Sequence, residues 1–394
     1  MCRPLPNIGH LDADAFFVSC ELARQPELQG RRCAVGGRKR GIISSASYEA
    51  RAAGVDTPMP TQRALRVCPD LILLPHTAGL YGRMSTQMFA LVEAVTPMVE
   101  RASIDEGYFD VAPCGDVTLG RLTERVQRLQ QSIRATLGLP VSIGLATNKM
   151  VAQIASKLRK PNGFVVVAPG AEATFLAPLS VDRLPGIGPR TAAALQTRHG
   201  INTVGELATR SDRVLRSLFG ARAGDLRAMA RGEGDSRVEA EPHDARSYSQ
   251  QETFARNLDD FDAVLRIAKG MVEELLVKVR ADGKHVRTMT VKVRHPDFSE
   301  VSHGRSLRTA TDLEAPFYDL LPALLRAAWR SPRPLRLVAV RLSGVEEQAR
   351  QLEMFAGSDE RRRRLAGVLD RLNAAGSQAV VRRGHQLAIK TEEA

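Results

Sequence analysis

Acidic residues lie inside two of the most apolar stretches of this chain. The stretch LDADAFF places Asp12 and Asp14 two residues apart, and SIDEGYFD places Asp105 next to Glu106. The alternating pattern predicts strands, on which Asp12 and Asp14 would share a face. Because an unpaired buried carboxylate costs several kcal/mol, these groups need a cation, and the nearby sequence supplies few basic residues.

Convergent carboxylates are the ligands that Mg²⁺ prefers, together with waters and substrate phosphates. Two such ions about 3.5–4 Å apart can hold both the attacking and the leaving oxygen of a phosphoryl displacement. A solvated turn of a β-hairpin is the alternative for Asp105 and Glu106.

The composition is that of a soluble, multidomain, basic protein. The 394 residues carry a net charge of +12, which indicates a polyanionic partner such as nucleic acid. No apolar run reaches the roughly 18 residues of a membrane span, and no secretory signal is recognisable. Five scattered cysteines without a CxxC pair indicate reduced thiols, so we expect a cytoplasmic protein.

The order of predicted elements indicates an α+β chain of several domains. Strands alternate with helices predicted at 20–28, 82–95, 119–137 and 148–158. Short helices follow from residue 178, and a polar segment at 234–246 is typical of a linker. The last regular region, 247–344, has the order β-α-β-β-α-β of a split βαβ unit.

Two further polar clusters are suited to phosphate. In SSASYEAR, Ser45 precedes a short helix on which Tyr48 and Arg51 share a face. Lys160 follows a predicted helix in the turn KPNG. An exposed helix face and a solvated lysine are the alternatives.

Two basic features are suited to a nucleic-acid backbone. In LPGIGPR, Gly186 and Gly188 flank Ile187 ahead of a helix, which favours a hairpin whose main-chain N–H groups bind phosphate over a simple turn between packed helices. In the last domain, apolar residues alternate with basic ones, which predicts a half-buried sheet. A phosphate-tracking face would carry Lys292, Arg294, Arg305 and Arg308, and a solvated edge is the alternative.

These clusters, in this order, resemble the Y-family DNA polymerases, most closely the bacterial DNA polymerase IV type. HLDADAFFVSCE and SIDEGYFD resemble the two metal motifs of the family, SSASYEAR and KPNG its nucleotide-binding motifs, and LPGIG its thumb hairpin. The resemblance implies a ferredoxin-like palm at 1–20 and 76–177 and fingers at 21–75. It also implies a helix-hairpin-helix thumb at 178–233, a linker at 234–246, a little finger at 247–345 and a tail at 346–394.

The resemblance also implies the role of each residue. Asp12, Asp105, Glu106 and the main-chain carbonyl of Ala13 would hold two Mg²⁺ ions, with Mn²⁺ as a substitute. Phe17 would be the steric gate that excludes ribonucleotides, whereas Asp14 is not a primary ligand in the family and would support the site. The other residues expected to contact the incoming triphosphate are Phe16, Ser45, Tyr48, Arg51 and Lys160.

A short string near the end of the chain resembles the bacterial sliding-clamp motif. In QLEMF, Leu352, Met354 and Phe355 would be apolar anchors in a groove of the clamp, next to Gln351. An exposed segment before the following Arg-rich helix is the alternative.

Three functional hypotheses follow. The first is a monomeric translesion DNA polymerase without proofreading, acting on primer–template DNA and deoxynucleoside triphosphates. The second is an inactive accessory protein that binds damaged DNA and the clamp; the retained Asp12, Asp105 and Glu106 argue against it. The third is a nucleotide cyclase, which would need neither the thumb hairpin nor a basic last domain.

Overall fold

The chain forms two compact units, Met1–Pro242 and His243–Ala394. The computed structural model describes residues 5–37, 40–116, 118–241, 244–330, 332–347, 357–374 and 381. Within these ranges, no helix is both long enough and apolar enough to cross a bilayer.

A five-stranded sheet lies at the centre of the first unit. Its strands, numbered in chain order, are β1 (Ile8–Ala13), β6 (Val99–Arg101), β7 (Glu106–Asp110), β8 (Val141–Ala146) and β9 (Phe164–Val166). They lie in the order β6-β7-β1-β8-β9, and β1 is antiparallel to both β7 and β8. Every residue of β1 is buried, as expected for a central strand covered on both faces.

A smaller sheet is formed by the residues that follow β1. Its strands are β2 (Cys33–Gly36), β3 (Ile42–Ala46), β4 (Met59–Pro60) and β5 (Ile72–Leu74), in the order β4-β3-β2-β5. The helices of this part of the chain are α1 (Phe16–Arg24), α2 (Tyr48–Ala52) and α3 (Thr61–Val67).

Helices cover the five-stranded sheet: α4 (Leu80–Glu93) and α5 (Leu119–Leu137) pack in one apolar cluster with β1, β7 and β8, and α6 (Lys149–Leu158) packs in another. The approach of α6 depends on Gly144 in β8, where an added Cβ would lie 2.1 Å from the carbonyl oxygen of Ala152. Asn148 caps α6 by accepting the N–H of Val151 at 3.0 Å. Gly144 therefore allows α6 to approach the sheet closely, and the Asn148 cap sets the residue at which the helix begins.

Short helices complete the first unit. They are α7 (Glu172–Leu176), α8 (Pro189–His199), α9 (Val204–Thr209), α10 (Asp212–Phe219) and α11 (Ala223–Ala230). Thr203 and Glu206 form a reciprocal capping box at the start of α9.

The second unit confirms the predicted β-α-β-β-α-β order. Its elements are β10 (Ser247–Leu258), α12 (Phe261–Ala281), β11 (Lys284–Arg294), β12 (Glu300–Thr311), α13 (Ala315–Ala328), β13 (Leu335–Glu347) and a final helix, α14 (Gly357–Ala374). The antiparallel sheet has the order β10-β13-β11-β12, and its buried residues pack against α12 and α13.

The predicted helix at 119–137 matches α5, and the one at 148–158 differs from α6 only in that Asn148 is the cap. The helix predicted at 20–28 is wrong. The chain turns at Ala15, where φ is 47°, so that α1 starts at Phe16. It ends at Arg24, because Pro26 lacks the N–H that would continue it.

Candidate active site

Three carboxylates lie where two neighbouring strands meet. Asp12 is paired with Glu106 in the antiparallel register of β1 and β7, which places both side chains on the same face. Asp105 directly precedes β7, and its carbonyl oxygen accepts the N–H of Ala13 at 2.9 Å. The hydroxyl of Ser103 donates to the Asp105 carboxylate at 2.5 Å. The fold thus brings the two acidic motifs together.

The prediction that Asp14 shares a strand face with Asp12 is wrong. β1 ends at Ala13, and the left-handed backbone of Ala15 turns the chain into α1. Asp14 lies in this turn and is completely buried. Asp14 therefore accepts hydrogen bonds from Ser142 and from the main-chain N–H of Asn162.

Two lysines neutralise part of the negative charge at the acidic edge of the sheet, which consists of Asp12, Asp105 and Glu106. Lys157, in α6, lies 2.9 Å from Glu106 Oε2 and 3.8 Å from Asp12 Oδ2. Lys160 forms an ion pair with Asp12, and its Nζ lies 3.5 Å from Asp14 Oδ1. Both lysines come from a segment distant in sequence, which agrees with the small number of basic residues near the acidic motifs themselves. The sequence analysis missed Lys157, although its spacing of three from Lys160 was a usable signal.

The two facing acids differ in acidity. Burial raises the pKa of Asp12 to about 6, although the charge of Lys160 acts in the opposite direction. Burial also acts to raise the pKa of Glu106, but the hydrogen bond and charge of Lys157 outweigh it and hold that pKa below its ordinary value. Glu106 is therefore the more firmly ionised of the pair.

A buried histidine that the sequence analysis missed lies beneath these acids. His10 is in hydrogen-bonding contact with Ser156 through Nδ1, at 2.8 Å, and its ring meets that of Tyr108 edge to face. Burial lowers the pKa of His10 to about 3, so the ring is neutral. Its Nε2 lies 3.7 Å from Glu106 Oε2, which is an approach to a neutral ring and not an ion pair.

The aromatic pair at the start of α1 divides into a core residue and a surface residue. Phe16 is 3% exposed and packs in the core, with its ring centroid 5.7 Å from that of Phe17, and its contact with a nucleotide stays a prediction. The ring of Phe17 is only partly buried, with its centroid 4.7 Å from that of Tyr81 and 5.7 Å from that of His76. Tyr81 is itself held by a hydrogen bond to Glu21 at 2.7 Å.

The predicted phosphate-binding residues of the small sheet lie close together. The guanidinium of Arg51 lies 4.9 Å from the ring centroid of Tyr48, as their spacing predicts. Arg51 is oriented by donation from Nε to the carbonyl of Ala46 at 3.0 Å. Ser45 is buried, and its hydroxyl accepts the N–H of Val18 at 3.4 Å.

The glycine hairpin before α8 has the backbone that its sequence requires. Gly186 has φ 87°, and an added Cβ there would lie 2.3 Å from a guanidinium nitrogen of Arg222. Pro189 occupies the first turn of α8, directly after Gly188. Ile187 is buried in the core, so only the main chain of this hairpin is left for a phosphate.

The basic residues of the second unit do not all share one face. Lys292 and Arg294 lie on the polar face of β11, and both approach Glu300, at 3.5 Å and 2.6 Å. Arg305 and Arg308 are exposed on β12. Arg305 pairs with a buried residue of β11 and therefore lies on the opposite face from Lys292, which corrects the predicted single basic face.

The clamp-binding residues Gln351, Leu352, Met354 and Phe355 lie outside the described residues. Their binding to a sliding clamp stays a prediction from the sequence. The predicted domain boundaries, the steric gate and the nucleotide and DNA contacts likewise stay predictions from the sequence.

Comparisons with known protein families cover most of the chain. Residues 11–157 match the impB/mucB/samB family, and residues 245–354 match the C-terminal domain of that family. Residues 169–201, which include the glycine hairpin, match the IMS family HHH motif.

Curated relatives and solved structures agree with these matches. A DNA polymerase IV from Opitutus terrae is 62% identical over 98% of this chain and 98% of its own length. One from Alkalilimnicola ehrlichii is 35% identical over 89% of this chain and 99% of its own. A Y-family DNA polymerase chimera of Dbh and Dpo4 superposes with a TM-score of 0.78 at 26% identity, covering 86% of this chain and 99% of that one.

The chain therefore belongs to the Y family of DNA polymerases, with a palm and fingers, a helix-hairpin-helix thumb and a C-terminal little finger. Within that family it is of the DNA polymerase IV type, a DNA-directed DNA polymerase of translesion synthesis. This confirms the translesion DNA polymerase of the first hypothesis, whereas the monomeric state and the absence of proofreading stay predictions. DNA polymerases of this type typically depend on Mg²⁺.

Proposed function

We propose that Asp12, Asp105, Glu106 and the Ala13 carbonyl hold two Mg²⁺ ions for nucleotidyl transfer. The observation that carries this proposal is the register pairing of Asp12 with Glu106, next to Asp105. The donors are all hard oxygens, which is the set that Mg²⁺ takes. No three His, Cys, Asp or Glu side chains in the described ranges are already grouped closely enough to hold a metal, so the side chains would converge on binding.

Bound Mg²⁺ would supply positive charge to the attacking and leaving oxygens, with Mn²⁺ as a substitute ion. In the reaction, the 3′-hydroxyl of the primer gives up its proton to solvent water, and its oxygen bonds to the α-phosphorus of the incoming nucleotide. The bond from that phosphorus to the bridging oxygen breaks, and pyrophosphate leaves with its electrons.

The surrounding residues would bind and orient the nucleotide. Lys160 can exchange its contact with Asp12 for a phosphate oxygen, and Arg51 and Tyr48 present a guanidinium and a hydroxyl from α2. Ser45 would complete the phosphate contacts from β3. The ring of Phe17, backed by Tyr81, would lie against the sugar and exclude a ribose 2′-hydroxyl.

The proposed macromolecular partner is primer–template DNA. Solved structures of Dbh, 26% and 27% identical to this chain, are described as ternary complexes of that polymerase. Here the glycine hairpin and the basic strands β11 and β12 would contact the DNA backbone. We further propose that the protein works as a monomer in the bacterial cytoplasm.

Primer extension with Mg²⁺ tests the metal assignment. The template would carry either an undamaged guanine or a minor-groove guanine adduct. We expect Asp105→Ala to abolish extension on both templates while DNA binding persists, because the metal-binding carboxylate is lost. Asp110→Asn is the matched control: this residue ends β7 and accepts the N–H of Ala112 at 2.7 Å, so extension should be retained. Turnover retained in Asp105→Ala would remove the assignment.

A further inference from the structure

The buried carboxylate of Asp14 lies among several donors close to the acidic edge. The Ser142 hydroxyl lies 3.0 Å from Asp14 Oδ1 and 2.9 Å from Oδ2, and the main-chain N–H of Asn162 donates to Oδ2 at 2.6 Å. Tyr48 Oη and Lys160 Nζ each lie 3.5 Å from Oδ1. Asp14 is completely buried, so these groups replace its hydration.

These bonds fasten the loop that follows α6. Besides the N–H of Asn162, which has φ 54°, the loop is held at Gly163, whose N–H donates to the Ser142 hydroxyl at 2.9 Å. The side chain of Gln130 donates to the carbonyl of Gly163 at 3.0 Å. The loop is therefore anchored to β8 and to the turn after β1.

Lys160 stands at the start of this anchored loop, two residues before Asn162. Its ammonium lies between Asp12 and Asp14, because the loop brings it there. The main chain at Lys160 is held on one side by α6, which ends at Leu158, and on the other by the anchored loop. The position of its ammonium therefore depends in part on the bond between Asp14 and the loop.

We propose that Asp14 is a positioning residue that sets Lys160 for the incoming triphosphate by holding the 160–163 loop. The inference rests on the proposed role of Lys160 in nucleotide binding. Asp14 touches neither metal nor substrate in this scheme, and it acts through the main chain of the loop and through its own approach to the Lys160 ammonium.

Single-nucleotide insertion kinetics of Asp14→Asn test the proposal. The amide removes one acceptor and the charge, so the bonds from Asp14 to Ser142 and to the N–H of Asn162 are weakened. We expect KM for the deoxynucleotide to rise by about tenfold or more, with a smaller fall in kcat and an unchanged Kd for DNA. An unchanged KM would overturn the proposal. So would a lowered KM, because Asp14 would then merely compete with phosphate for Lys160.

A double-mutant cycle separates action through Lys160 from an independent effect. If Asp14 acts through Lys160, adding Asp14→Asn to Lys160→Ala should leave KM for the deoxynucleotide unchanged. If the two substitutions each raised KM by a factor of their own, and these factors multiplied in the double variant, the proposal would be overturned. Asp110→Asn serves again as the control, and thermal unfolding checks that each variant is folded.

Ser142→Ala keeps the test decisive if Asp14→Asn does not fold. This change leaves the Asp14 charge in place but removes the hydroxyl that bonds both Asp14 and the loop. We expect a smaller rise in KM in the same direction, and an unchanged KM would overturn the proposal. The Asp105→Ala variant tests the metal assignment independently of this proposal. Its loss of primer extension would support the metal assignment even if Asp14 did not position Lys160.

Discussion

At the scale of single residues, selection against ribonucleotides depends on how firmly one ring is held. The rings of Phe17, Tyr81 and His76 form a three-membered cluster in which the centroids of Tyr81 and His76 are 5.5 Å apart, and His76 is in hydrogen-bonding contact with Ser44 at 3.2 Å. A ring packed against two others cannot move aside for an added hydroxyl without disturbing them.

Phe17→Ala should therefore raise the incorporation of ribonucleotides relative to deoxynucleotides by at least tenfold. Competition assays with a ribo- and a deoxynucleoside triphosphate of the same base measure this ratio. Phe175→Leu is the matched control, since that side chain packs in a different apolar cluster from Phe17 and the ratio should not change. An unchanged ratio in Phe17→Ala would remove the steric gate from this ring.

Sequence reasoning reached the acidic residues because carboxylates inside apolar strands are locally visible. It missed His10 because a histidine on a strand has no local signal of what it faces, and it missed Lys157 although that residue lies only three positions before Lys160. It misplaced Asp14 because the turn depends on Ala15 at φ 47°, a backbone that alanine rarely adopts and that no local pattern indicates.

At the scale of elements, periodicity predicted the long amphipathic helices and the split βαβ order well. Element ends were less predictable, since caps and turns decide them. The last helix, α14, lies beyond the matched family region, which ends at residue 354. It is attached by Arg280, whose guanidinium bonds both carboxylate oxygens of Asp370, at 2.6 Å and 3.0 Å, and one of Glu314 at 3.1 Å.

Asp370→Asn should loosen α14 from the second unit. Arg280 is only 11% exposed at its side chain, so Asp370→Asn weakens a largely buried bidentate pair and leaves Glu314 as the remaining acidic partner of this arginine. We expect amide hydrogen exchange in α14 to accelerate by about tenfold, equivalent to about 1.4 kcal/mol.

Glu360→Gln is the control for this measurement. Glu360 pairs with Arg364 within α14, and both side chains are well exposed. A surface pair of this kind contributes under about 1 kcal/mol, so exchange should change little. Equal exchange in the two variants would mean that Asp370 does not anchor the helix.

At the scale of the whole molecule, the net charge of +12 acts together with the arrangement of charges on each unit. The net charge can be counted from the sequence, but the count does not show which charged side chains pair with one another. Glu300 approaches both Lys292 and Arg294, and the Arg294 hydrogen bond lowers the pKa of Glu300, so it is ionised at neutral pH. Glu300 therefore neutralises part of the positive charge of β11, a strand that we propose lies along the phosphates of the DNA.

Glu300→Gln should tighten binding to primer–template DNA at low salt. Two cations released from one acid become available for phosphates, so the slope of log K against log salt should steepen by about one to two. Fluorescence anisotropy across a salt series measures both quantities. Asp319→Asn, on α13, is the control for a general change in charge, and equal slopes in the two variants would exclude these strands from the DNA interface.

The close approach of α6 to Gly144 has a consequence for how this gene tolerates change. A single added methyl at that position would meet main-chain atoms of α6, and α6 carries Lys157 and leads into the loop of Lys160. A genetic screen for inactive alleles should therefore recover substitutions of Gly144 as well as of Asp12, Asp105 and Glu106, although glycine has no side chain that could take part in the reaction.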